Sequence, residues 1–136
     1  RMIFSGEDHL VEQGVPERQW VSDDGILHVR RSVSTYTATS DSELYGGDAT
    51  IIVNYNLDLA TGKGTLWGTS HLEVDDDGGF DGTWTGKFTG TETVWVGHGR
   101  SKGYGTLIGY QQRYDLAWAY FGDVIEGFTF MPGHTG

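Results

Sequence analysis

The chain has 136 residues, among them 22 glycines, two prolines and no cysteine, and a formal net charge of -10. That length builds one domain with its own core, and the missing cysteines exclude disulfides and thiolate chemistry. The acidic surface repels phosphate backbones and anionic membranes, and no apolar run approaches the roughly 20 residues of a membrane-spanning helix. Neither nucleic acid nor membrane insertion is expected.

The opening RMIFSGEDHLVEQG has no apolar h-region and no small-residue cleavage site. No signal peptide is expected from it, and a cytoplasmic location is; a mature secreted form would read the same. Met2 to Ser5 suits a short first strand. Residues 7 to 19 read as a loop with at most one helical turn.

From Ile26 onward the chain alternates with period two, the mark of strands. Ile26–Thr39 sets Leu27, Val29, Arg31 and Val33 against His28, Arg30 and Ser32. Thr50–Leu59 sets Ile51, Val53, Tyr55 and Leu57 against Ile52, Asn54, Asn56 and Asp58. Gly64–Val74 and Phe80–Gly90 place Leu66, Leu72, Phe80, Trp84 and Phe88 on one face, with glycines between them. Val94–Arg100 is a shorter strand, Leu107–Phe121 a long one, and Val124–Phe130 the last. Thr, Trp, Tyr and Phe between the glycines favour strands.

Between two of these segments lies DDDGGFD, which holds four aspartates in seven residues. Asp and Gly suit a hairpin turn. Calcium needs six to eight oxygens, and an EF-hand loop needs Gly at its sixth position and Glu at its twelfth. Counted from Asp75 those positions are Phe80 and Gly86, so a turn is expected and a metal is not. Histidine and cysteine are not clustered for zinc, and neither GxGxxG nor a P-loop is present. No cofactor is expected.

Seven or eight antiparallel strands in meander order leave edges that closure removes. The expected fold is therefore all-β: a single closed antiparallel barrel of about eight strands with little or no helix. A sandwich is the alternative. Barrels of this size either fill with side chains or hold one small ligand. The Leu107–Phe121 face carries Tyr110, Gln112, Tyr114 and Trp118, an aromatic wall with one amide, and it meets the Trp84 and Phe88 face. These residues are the candidate pocket. Arg30 and Arg31 face opposite sides in a regular strand, so at most one guanidinium points inward, where it would clamp a carboxylate. Glu126 shares a parity with Val124 and Phe128; buried there, it would serve as an acid or base. His98, in VGHGR, is the second weak catalytic candidate.

WVSDDGILHVR, NLDLATGKGTLWGT, GFDGTWTGKFTG and GHGR resemble segments of a group of uncharacterised bacterial β-barrel proteins, over about residues 20 to 132. More distantly, the pattern is similar to the allene oxide cyclase and dirigent-like barrels and to the lipocalin-like calycins. The resemblance implies a small barrel whose lumen takes apolar molecules, and in some members a lumen that steers cyclisation by shaping its substrate. It assigns no residue a role. Three functions are open at this point. One is a binder of a small apolar or amphipathic molecule. Another is a cyclase or isomerase acting on such a molecule. The third is an interaction module using exposed Trp67 and Trp95, with a homo-oligomer as its simplest form.

Overall fold

A computed structural model describes residues 2–41, 46–90, 95–119 and 122–130, with backbone alone at 2–4, 118–119 and 122–130. Among the described residues there are nine strands and no helix. In chain order they are β1 (Met2–Glu12), β2 (Arg18–Val21), β3 (Ile26–Ser40), β4 (Gly47–Asp58), β5 (Lys63–Asp75), β6 (Gly78–Thr89), β7 (Trp95–Gly105), β8 (Gln111–Ala119) and β9 (Gly122–Phe130).

All strands join one antiparallel sheet that curls into a half-barrel. From β3 to β9 each strand pairs with the next in sequence, a meander. β1 pairs with β9 over Met2–Asp8 and with β3 over Gly6–Glu12. β2 pairs with the other half of the same β3 edge, Leu27 to Arg30. The expected loop at residues 7–19 is thus wrong in its first half: Glu7 to Glu12 are strand. Their period was hidden because Glu7, Asp8, His9 and Glu12 put polar groups on both faces.

The alternation holds where it was strongest. On β6 Phe80, Trp84 and Phe88 are buried while Asp81, Thr85 and Lys87 are exposed. On β5 the buried residues are Leu66 and Leu72, and on β8 they are Gln112, Tyr114 and Leu116. Burying a side chain the size of Phe80 contributes about 1.5–3 kcal/mol. The aspartates form the expected hairpin turn. Asp75 pairs with Gly78 across Asp76 and Asp77, and the Asp77 N–H donates to the Asp75 carboxylate at 2.8 Å.

Two expectations fail. The long strand from Leu107 is broken at its start: residues 106–109 make a turn, Leu107 folds back into the core and Ile108 stands 75% exposed. Leu107 donates to the Tyr104 carbonyl at 3.1 Å and Ile108 to that of Gly105 at 3.2 Å. On β3, Arg30 and Arg31 together oppose the single residue Asn54, a bulge between Val29 and Ser32. Arg31 takes φ 54° there, and its N–H donates to the Asn54 side-chain oxygen at 2.9 Å. The bulge flips the parity, so Ser32 and Ser34 face in and Val33 faces out.

One cross-strand row sets the shape of the interior. Gly68 on β5 pairs with Trp84 on β6, Trp84 with Gly99 on β7, and Gly99 with Tyr114 on β8. A Cβ on Gly99 would stand 2.6 Å from the Tyr114 ring, and one on Gly68 3.0 Å from the Trp84 ring. Each ring therefore leans over a glycine. Gly99→Ala should destabilise the protein by about 1–3 kcal/mol through overpacking. In a Tyr114→Leu background the same change should cost clearly less. Urea midpoints of the four proteins would test this; equal losses in both backgrounds would show that the ring is not what the methyl meets.

Candidate functional site

The curled sheet encloses a cavity of about 800 Å³. Its apolar wall comes from Leu66, Phe80, Trp84, Phe88 and Leu116, with Trp95 tilted against Trp84 at a centroid distance of 5.6 Å. Tyr55 stands edge-on to Phe88 at 5.4 Å. The segment between β1 and β2 crosses one side: the Gly14 N–H donates to Ser34 Oγ at 3.3 Å, and Ser32 Oγ donates to the Gly14 carbonyl at 3.1 Å.

Polar groups gather at one part of the wall. Tyr114 Oη lies 3.4 Å from Ser70 Oγ and also interacts with Ser101. Gln112, 1% exposed, lies on the same strand, two residues before Tyr114. Asp8 from β1 is 4% exposed, and its charge acts on Tyr114. Burial pushes the Tyr114 phenol above its usual range, the serine hydrogen bonds work against that, and the Asp8 charge adds to it. The phenol stays protonated at neutral pH and can donate or accept a hydrogen bond.

Of the sequence candidates, Trp84, Phe88, Gln112 and Tyr114 line this cavity together. Tyr110 does not; it packs against the core from the side, and its carbonyl accepts the Gly103 N–H at 2.9 Å. Arg30 is placed elsewhere. Arg30 follows the inward Val29 and points outward by ordinary alternation, and the bulge turns Arg31 outward as well, so neither clamps anything inside. Arg30 donates to the Val29 and Tyr55 carbonyls at 3.0 and 3.1 Å and to Asn56 Oδ1 at 2.9 Å. It lies over the Trp20 and Trp67 rings at 5.2 and 4.9 Å, a cation–π sandwich on the outer surface. His98 is exposed, 3.5 Å from Thr85 Oγ1. Trp67 is covered in part by Arg30, and Trp95 belongs to the wall, so neither is the exposed aromatic that was expected. The side chains of Trp118 and Glu126 lie outside the described residues.

Sequence reasoning missed two groups. Asp8 was hidden in the supposed loop. The other is on the outer face of β5, β6 and β7. His71 pairs with Asp81 across the ladder, Nδ1 to Oδ1 at 2.5 Å. Nε2 lies 3.5 Å from Glu73 and 3.3 Å from Tyr104 Oη, and the Tyr104 ring stacks on the imidazole at 5.2 Å. The Asp81 hydrogen bond holds the imidazolium and raises the His71 pKa above 6.5; partial burial opposes this and Glu73 adds to it. The carboxylate-oriented ring is a cross-strand tie. Its polar partners Asp81, Glu73 and Tyr104 are on the outer face, while His71 also contributes to the cavity lining.

A raised histidine pKa stabilises the fold fully below the unfolded value, and the gain is lost as pH rises through the folded value. Stability should therefore fall as pH climbs from about 6.5 through the raised pKa of His71. Asp81→Asn should lower that pKa and flatten this part of the profile. Titrating the His71 ring by NMR in both proteins would check it; an unchanged midpoint in Asp81→Asn would refute the tie.

Compared with known proteins, the chain matches no family model and no curated protein sequence.

Proposed function

We propose that β1 seals the curled sheet into a closed barrel and that the barrel binds a small apolar or amphipathic molecule in its lumen. The cavity of about 800 Å³ carries this reading. It falls within the 300–1,000 Å³ typical of ligand sites, and it combines aromatic walls with a few convergent polar groups. The double pairing of β1 supports closure, because it leaves β9 and half of the β3 edge covered. The resemblance to calycin and allene oxide cyclase-like barrels belongs to the same proposal.

A cyclase or isomerase is the second reading. Asp8 and Tyr114 supply it with two titratable groups acting on one another inside the cavity. A bound molecule recovered unchanged, as judged by mass spectrometry, would leave binding as the function.

The neutral fluorophore N-phenyl-1-naphthylamine tests the lumen directly. Its emission should rise saturably with one site per chain. Ala49→Phe and Ser101→Leu, which fill the wall from β4 and β7, should each weaken it by tenfold or more. Lys87→Ala on the exposed face should leave it unchanged. A probe that binds equally well to both filled variants, each shown folded by circular dichroism, would place binding on the surface and end the proposal.

A further inference from the structure

The polar side chains of the cavity wall differ in what they already hold. Tyr114 is tied to Ser70 and Ser101, Ser32 and Ser34 to Gly14, and the Trp84 indole to the Thr69 carbonyl. Asp8, Gln112 and Tyr36 are each engaged as well. His71 keeps Asp81, Glu73 and Tyr104 on its outer side. Tyr55 is different. It lines the cavity from β4, where it alone in the row Ala49, Ile51, Val53, Tyr55 and Leu57 carries a polar group. Its neighbours across the sheet are Val29 and Leu66, and its ring meets Phe88 edge-on at 5.4 Å. Its backbone carbonyl accepts from Arg30, but no described group hydrogen-bonds the hydroxyl. Burial pushes the phenol above its ordinary range, and no hydrogen bond or charge contributes.

A hydroxyl withdrawn from water without a partner is costly, and a ligand that supplies the partner recovers that cost. The phenol stays protonated, so it offers an O–H. The burial that disfavours its own anion also disfavours a charged head group beside it. The oxygen of a ketone, ester or ether accepts the O–H. It brings no donor that would itself need a partner among Val29, Val53, Leu57, Leu66 and Phe88. The hydroxyls of Tyr114, Ser70 and Ser101 offer less, because a head group there would have to break bonds already made. Resting on the cavity reading above, we propose that the ligand is a neutral, largely apolar molecule with a carbonyl or ether oxygen, and that this oxygen accepts a hydrogen bond from Tyr55 Oη. Tyr55 then orients the ligand, and the apolar body lies against Phe88, Leu66 and Leu57.

The experiment uses the whole chain with N-phenyl-1-naphthylamine bound, displaced by valerophenone or by pentylbenzene. The two ligands differ by a carbonyl in place of one methylene. Tyr55→Phe keeps the ring against Phe88 and removes the hydroxyl alone. Corrected for the probe's own affinity in each protein, valerophenone should bind about fivefold or more weakly to Tyr55→Phe than to the wild type. Pentylbenzene should change by less than about twofold. The carbonyl stretch of bound valerophenone should lie at lower frequency in the wild type than in Tyr55→Phe, a signature that a merely structural tyrosine would not move. The empty Tyr55→Phe protein should keep or exceed the wild-type urea midpoint, because no bond is lost. A clear drop would show that the hydroxyl has a protein partner and would overturn the assignment. Equal losses for both ligands, or an unshifted carbonyl band, would do the same while leaving the lumen reading intact. A probe that never binds would overturn both.

Discussion

The interior depends on aromatic rings leaning over glycines. Trp84 and Tyr114 lie two strands apart in one row, and Gly68 and Gly99 beside them carry no side chain. With ordinary side chains at all four places the row would fill the centre of the sheet. With glycines, each ring bends aside over its neighbour, and the volume it vacates becomes cavity. The bend has a hydrogen bond of its own, since the Trp84 indole N–H donates to the Thr69 carbonyl at 3.3 Å. Glycine in a strand weakens the strand, so a row that alternates glycine with large aromatics exchanges local stability for space. The same row places the Tyr114 hydroxyl near Ser70 and Ser101, which gives the cavity its polar pole.

That much was legible in the sequence, because period two and the glycine–aromatic alternation are local signals. β4, β5 and β6 and the wall residues Trp84, Phe88, Gln112 and Tyr114 follow from them directly. The second half of β1 was not legible, for a physical reason. Its segment GEDHLVE has no apolar–polar contrast between its faces; it is a strand because two partners, β9 and β3, hydrogen-bond its edges. Strand preference of this kind is set by neighbours rather than by the residues themselves. Asp8, a buried residue of the cavity wall, is on that strand.

The bulge at Arg30 and Arg31 shows a second way for parity to fail. Bulges usually announce themselves with glycine or asparagine in the positive-φ position, and here an arginine occupies it. The information is in the partner strand instead, where Asn54 accepts the displaced N–H. One extra residue keeps Arg31 on the outside with Arg30 and turns Ser32 and Ser34 in. Where the sequence suggested an arginine clamp for a carboxylate, the fold has two hydroxyls that hold the Gly14 crossing. The turn at Leu107 and Ile108 hides in the same manner, as two aliphatic residues between Gly105 and Gly109, both at positive φ.

These displacements act together on the electrostatics. The bulge keeps Arg31 from turning inward, and the strand at residues 7–12 brings Asp8 to the cavity wall. Arg30 itself is fully occupied outside, over two indoles and against three acceptors. Arg30 follows the inward Val29, so ordinary alternation already places it outside; the bulge acts on Arg31 and on the parity of Ser32 and Ser34. The placement of these groups is therefore built into the β3 backbone and the β1 pairing. Both are fixed by main-chain hydrogen bonds before any side chain in the cavity is chosen.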